Sequence, residues 1–383
     1  MKKFLIILLL FNFIIPASGC KKRAARIPPS GNTVKIGIIA PMSGPEQTSG
    51  ENAMLGIRTA LQMQPYLNNG DKVELIVEDN AGTTEQTLRA LAKLSGQEDI
   101  AGVLLMAKSN AVLATVPVAD QHKMPILALI ATHPDITKNN RYISQLGFDD
   151  NFQGKVAALY VRDEMLLARV AVVSEQENAH FSYLGNAFIG EYTSVGGKVI
   201  EHVIVEPETT GLGKVLERLQ ASNVQLLYLA VSPEVVIRLA RAAAEIGWKP
   251  KMMGSDGLMA HIVLRQRDNI KLVEGMMATD FYSSSQPKTE YSRNAWKLFK
   301  KKFPGQLTTY TALGCEGTSI FLHAVDRCEN KKDRECVNNM LRDTQKLDGL
   351  LGKIAIHENG KAERPIFVNI IKDQEMKFLI KVH

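Results

Sequence analysis

The chain has 383 residues, 45% apolar and 22% charged, with 46 basic side chains against 40 acidic ones for a formal charge of +6. That length exceeds what one hydrophobic core ordinarily holds, so two lobes are expected. Its basic residues are interspersed with acids, which excludes the basic stripe with interleaved aromatics of a nucleic-acid binder, and the run Lys300-Lys301-Lys302 reads as the solvated end of a helix. The chain opens with Lys2 and Lys3, then an apolar run over residues 4–15 broken by Asn12, then Ala17-Ser18-Gly19 before Cys20. This is the layout of a secretory signal over residues 1–19, too short and wrongly flanked to span a membrane. Residues 20–32, with Lys21-Lys22-Arg23 and Pro28-Pro29-Ser30-Gly31, read as a solvated tether. The mature protein is therefore expected outside the cytoplasm.

From residue 34 onward, β-branched runs alternate with amphipathic helical patterns. Residues 34–40 and 73–77 read as strands, with a helix to about Met63 between them. Thr83 and Gln86 have capping-box spacing ahead of a helix that carries Leu88, Leu91, Ala92 and Leu94 on one face. Strands at 101–106 and 125–130 follow, again with a helix between. The rhythm restarts with a helix over 151–166, a strand at 170–173, a helix over 181–193 and a strand at 199–205. Val215 to Gln220 falls in a helix, and residues 226–230 form a strand. Ser232 is placed to cap the next helix, with Pro233 at its first position and Gly247 past its end. Such alternation means parallel sheets covered on both faces, and the fold class is α/β with two doubly wound lobes.

Open parallel sheets present ligand sites where strands end and helices begin. The residues there are Pro41-Met42-Ser43-Gly44-Pro45, Lys108-Ser109-Asn110 and Ala131-Thr132-His133-Pro134, then 174–182, Val231-Ser232 and Gly254-Ser255-Asp256-Gly257. Hydroxyls, amides and free N–H groups at helix starts suit a carboxylate, and Asp256 on a Gly-flanked loop suits an ammonium. Helix capping alone also places Ser, Thr and Asn at such positions. Cys328 and Cys336 flank the polar stretch 329–335 and can meet across a helix–helix connection, which an oxidising compartment permits, although the sequence leaves their bonding open. Cys315 lies in an apolar helical pattern as a buried thiol. No CxxC or paired histidines accompany the cysteines, so no metal and no cofactor is expected.

Two resemblances sharpen these expectations. The small-residue triplet ending in Cys20 resembles the lipobox of bacterial lipoproteins, with Ala17 where Leu is most usual, and implies a chain anchored to a membrane through lipidated Cys20. Residues 34–45 (VKIGIIAPMSGP), Glu78-Asp79, 127–137 (LALIATHPDIT), 170–175 (VAVVSE), 254–257 (GSDG) and 274–279 (EGMMAT) resemble, in order, the type I periplasmic binding proteins of the leucine/isoleucine/valine class. Residues 310–317 (YTALGCEG) and 348–360 (DGLLGKIAIHENG) match that family's closing segments. The resemblance implies Rossmann-like lobes, residues 33–147 plus 280–348 and 148–279 plus 349–383, joined by three hinge crossovers near 146–150, 278–281 and 348–353. It implies an amino acid or related small carboxylate clamped between them and delivered to the permease of an ABC transporter. Ser109 and Asn110 would meet the ligand carboxylate. Ile130, through its carbonyl, and Thr132 would also reach the zwitterion, with Phe181 against the ligand and Asp256 on the ammonium.

The chain departs from the family pattern at several points. Ser49 stands before Gly50 where an aromatic is common, Phe181 only approximates a usual Tyr, and Val231 stands where some relatives have Tyr. Lys108 and His180 raise the prospect of an acidic or polar ligand. Enzyme motifs are missing: Gly211-Leu212-Gly213 lacks the later glycine of a dinucleotide loop, Gly213-Lys214 is followed by Val215, and neither HExxH nor G-x-S-x-G occurs. The sequence leaves open a transport role or that of a ligand-binding sensor or accessory lipoprotein acting on a periplasmic partner.

Overall fold

The computed structural model describes residues 29–383 apart from 266, 284–288, 303–306 and 351. The leader, Cys20 and most of the tether lie outside the described residues. The first sheet grows from β1 (Thr33–Ala40), whose Ile36, Ile38 and Ile39 are fully buried, so the strand must be central. After β1 come α1 (Gln47–Met63), β2 (Lys72–Asp79), α2 (Thr84–Ser95), β3 (Ile100–Leu105), α3 (Ser109–Gln121), β4 (Ile126–Ala128) and β5 (Ile143–Gln145), giving a parallel sheet in the order β2-β1-β3-β4-β5. Alternate residues face opposite layers. Ile39, Val103 and Leu105 pack with Leu91, Leu94 and Val112 of α2 and α3, whereas Ile36, Ile38 and Leu104 pack with Met54 and Ile57 of α1. Thr83 caps α2 by accepting from the Gln86 N–H.

The second sheet follows the same logic through α4 (Asp150–Leu159), β6 (Arg169–Glu175), α5 (Ala179–Ser194), β7 (Lys198–Val205), α6 (Leu212–Ala221), β8 (Leu226–Ala230), α7 (Pro233–Glu245), β9 (Lys251–Gly254), α8 (Leu258–Arg265) and β10 (Met277–Asp280). The helix expected over 151–166 stops earlier as an α-helix and passes into one π-helical stretch, Tyr160–Glu164. Val170, Val172, Leu226 and Tyr228 face Leu184 and Phe188 of α5, and Ala171, Val173, Leu227 and Leu229 face Leu216 of α6 and Leu239 of α7. Ser232 occupies the N-cap of α7 as expected, but its hydroxyl donates to Glu175 rather than capping.

The C-terminal part changes the picture of purely parallel sheets. The chain returns to the first sheet with α9 (Glu290–Lys302), α10 (Thr309–Asp326) and α11 (Arg334–Arg342), then forms a small antiparallel sheet of β11 (Thr344–Asp348), β12 (Lys353–Ile356) and β13 (Ala362–Glu363). It ends with β14 (Ile366–Lys372) and β15 (Glu375–Val382), giving the second sheet the mixed order β15-β14-β10-β9-β8-β6-β7. The cause is local. Asp373 and Gln374 both take positive φ in a two-residue turn, and strands joined that way must run antiparallel. Helix α10 lies almost backbone to backbone on α1. A Cβ at Gly56 would stand 2.0 Å from the Thr311 carbonyl oxygen, and one at Gly314 would stand 2.2 Å from that of Ala53. Cys328 and Cys336 are joined by a disulfide between α10 and α11, and Cys315 is a buried free thiol.

The chain passes between the two sheets after β5, after β10 and between β13 and β14, and one buried pair lies at these passages. Arg364 and Glu316, each 2% exposed, approach to 3.2 Å as an ion pair. Arg364 also donates to the carbonyls of Leu146 (3.4 Å) and Phe281 (3.0 Å), while Glu316 accepts from the Leu350 N–H at 2.7 Å. Removing one partner leaves the other charged, buried and unpaired. Arg364→Met should therefore lower unfolding free energy by about 3–5 kcal/mol in urea titration, well beyond a surface arginine replaced in the same way.

Candidate functional site

The carboxyl ends of both sheets face one another across a cavity of about 750 Å³. Its wall includes Pro41 after β1, Ser109 after β3, Ile130 and Thr132 after β4, Glu175 at the end of β6, Ser232 after β8 and Asp256 after β9. This is where helix starts leave N–H groups unpaired within the helix. Side chains bridge the cleft. Asn110 accepts from the Ala179 N–H at 2.9 Å and donates to the Glu177 carbonyl at 3.3 Å.

The charged centre is a row of three groups on the second side. His180 Nδ1 is 2.9 Å from Asp150 Oδ1 and 2.9 Å from Thr132 Oγ1, and its Nε2 lies 3.6 Å from Asp256 Oδ1. Burial works against charge on His180, but the charge and hydrogen bond of Asp150 and the charge of Asp256 outweigh it, raising the imidazole to about 9. Burial pushes Asp256 up, His180 opposes and Asp150 adds repulsion, leaving the carboxyl at about 6. Behind them Asp280, also buried and repelled by Asp256, is pushed up to about 7. Asp150 Oδ2, Gln153 Oε1 and Asp256 Oδ1 are buried with no hydrogen-bond partner among the described residues. Two carboxylates therefore share one imidazolium, and the row lacks one positive charge. Asp150, His180 and Asp256 each offer one atom within 4.8 Å of the others, close enough to hold a small cation.

On the opposite side Ser109 Oγ accepts from the N–H groups of Thr132 and His133, both at 3.3 Å. A hydroxyl that accepts twice still has its own hydrogen to give, so Ser109 remains a donor at the start of α3. The structure places Ser109, Ile130, Thr132, Phe181 and Asp256 on the cavity wall. Asn110 is not on that wall, because both ends of its amide are used across the cleft. Lys108 is paired with Glu46 at 3.0 Å and His180 with Asp150.

Sequence reasoning gave no role to Asp150, Glu46 or Glu175. Asp149 already caps α4 by accepting from the Phe152 N–H, so the second acid of that doublet was not needed for the helix start and was the available signal. Glu175 accepts from the Ser232 N–H (3.0 Å) and hydroxyl (2.6 Å), and burial raises its carboxyl. The raised His180 value means that folding binds a proton the unfolded chain releases. Its contribution, about 3 kcal/mol, is complete below about pH 6.5 and is lost as pH rises towards 9. Thermal unfolding of the ligand-free protein should show the melting temperature falling between those pH values, and His180→Ala should flatten that slope.

Comparison with known proteins agrees with this architecture. The sequence profile of the family described as periplasmic binding protein matches residues 33–375. The Leu/Ile/Val-binding protein BraC3 of Rhizobium johnstonii is 24% identical over 340 residues, covering 85% of this chain and 88% of the relative. The leucine-binding protein LivK of Thermotoga maritima superposes with a TM-score of 0.84 at 26% identity, covering 91% of this chain and 99% of that one. LivJ of Streptococcus pneumoniae, solved with isoleucine, shares the fold with a TM-score of 0.82 at 17% identity, covering 92% and 100%. These relatives are binding proteins, not enzymes, and the chain belongs with them to the periplasmic binding protein family.

Proposed function

We propose that the cavity binds an amino acid or a related small carboxylate and that the protein hands it to the permease of an ABC transporter. The observation that carries this reading is the uncompensated charge in the row Asp150–His180–Asp256, which a ligand ammonium at Asp256 would complete. A carboxylate at the other end of the ligand would take the Ser109 hydroxyl and the N–H groups at the start of α3. The relatives described as Leu/Ile/Val-binding and leucine-binding proteins support the same ligand class. Groups on both sheets would then touch one small molecule, so the ligand favours the bridged arrangement by its differential affinity for it.

A screen of amino acids and small carboxylates by thermal shift identifies the ligand, and calorimetry tests the roles. Asp256→Ala should weaken binding by roughly 2–5 kcal/mol, because the ammonium is left unpaired in a closed site. Ser109→Ala should cost about 1–3 kcal/mol. Unchanged affinity in both variants contradicts the reading.

The lipid anchor at Cys20 belongs to the same proposal, supported by the small residues before it and the polar tether after it. Among the described residues no helix is long and apolar enough to cross a membrane. Cys20→Ser should move the protein from the membrane fraction to the soluble fraction on centrifugation, and a variant that still sediments contradicts the anchor.

A further inference from the structure

The cavity reaches only the front of the charged row. His180 and Asp256 stand on its wall, whereas Asp150, Gln153 and Tyr228 lie behind it. A ligand in the cavity can answer Asp256 but not the groups at the back. Asp150 and Gln153 are one turn apart on α4, hence on one face of it, and both are fully buried. The Oδ2 of Asp150 and the Oε1 of Gln153 have no hydrogen-bond partner among the described residues. The Gln153 amide nitrogen donates to Thr279 at 2.7 Å, and the same side chain favours the charged form of Asp256 by a hydrogen bond.

Tyr228 is the independent sign. It lies on β8, the strand between β6 and β9, fully buried and stacked on Phe188 with ring centres 3.8 Å apart. Its hydroxyl has no partner among the described residues, although a buried tyrosine ordinarily closes a hydrogen bond. Burial, then the charges of Asp150 and Asp256, push this hydroxyl well up, so it stands within the field of both carboxylates. Helix α4, strand β8 and the loop after β9 thus bring partnerless oxygens into one buried neighbourhood.

The spacing suits an ion better than a closed hydrogen-bond network. His180 Nε2 and Asp256 Oδ1 are 3.6 Å apart. A good hydrogen bond measures about 2.9 Å. Two ligands of a tetrahedral ion, each about 2 Å from it, stand about 3.3 Å apart. The charges agree. Two carboxylates and one imidazolium leave one negative charge uncancelled. A divalent ion that takes the imidazole lone pair, with the ring proton passing to solvent, cancels both carboxylates.

We propose that Asp150, His180 and Asp256 form a binding site for a divalent transition-metal ion at the back of the cleft. One imidazole with two carboxylates suits Zn2+ or Ni2+, whereas Mg2+ and Ca2+ prefer oxygen ligands throughout. Asp256 faces both the ion and the cavity, so the ion competes there with a ligand ammonium. The site goes beyond the amino-acid reading and does not rest on it.

Calorimetry with ZnCl2, NiCl2 and MgCl2 on the purified, tag-free and metal-stripped protein tests it. One equivalent of Zn2+ or Ni2+ should bind, at least a hundredfold more tightly than Mg2+. Asp150→Asn and His180→Gln, each with unchanged circular dichroism, should weaken that binding at least tenfold. His357→Gln, which removes an exposed imidazole paired with Glu363, should leave it unaltered. Should Asp150→Asn fail to fold, electron paramagnetic resonance of the Cu2+ form reads the site in the unaltered protein. Coordination by one imidazole nitrogen that is lost in His180→Gln supports the site, and coordination that persists in it overturns the site. No binding of Zn2+ or Ni2+ to the unaltered protein, or binding that survives both Asp150→Asn and His180→Gln, also overturns it. The amino-acid reading then still stands, because it is tested with the amino acid and no metal.

Discussion

The fold depends on one buried ion pair placed where the chain changes sheets. Arg364 and Glu316 sit among the three crossings and hold Leu146, Phe281 and Leu350 through backbone atoms. Arg364 also lies over the Phe281 ring, which stacks on Phe148. A guanidinium suits this position because its planar fork can serve several acceptors while keeping its charge. Bonds to backbone rather than to side chains fix where each crossing passes. The cleft above the crossings is bridged by further contacts. One of these is the Asn110 amide and another is the Thr132–His180 contact.

The same economy governs the site. Each sheet contributes groups that are only partly satisfied by their own side: a Ser109 hydroxyl with a hydrogen to give, an Asp256 oxygen with no hydrogen-bond partner among the described residues, a Glu175 carboxylate with spare acceptors. A cavity with unanswered charge on one wall and donors on the other selects a ligand by polarity before shape. His180 keeps the row from carrying two uncompensated negative charges when no ligand is there. Burying both without it would raise the cost of the empty site severely.

Much of the fold was legible because strand and helix periods differ and because parallel strands buried on both faces leave unbroken apolar runs such as those of β1 and β3. The antiparallel end of the second sheet was not, since β14 and β15 alternate weakly and their direction is set by the backbone of Asp373 and Gln374. The site was legible in position more than in role. Ser109, Thr132 and Asp256 were found because they follow strands. Asn110 follows one too, but its bonds run to the backbone of the opposite lobe, which no local pattern records. Ser232 has the form of a helix cap, yet a buried carboxylate from another strand is the stronger acceptor for its hydroxyl. Asp150 received no role because its partner, His180, is 30 residues away.

The central claim is that the ligand brings the positive charge which the row of Asp150, His180 and Asp256 lacks. A crystal structure of the protein with its bound solute tests this most directly. The account predicts a ligand nitrogen within hydrogen-bond distance of Asp256 and a ligand carboxylate at the Ser109 hydroxyl. A solute without an amine, or one that turns its carboxylate towards Asp256, would contradict it.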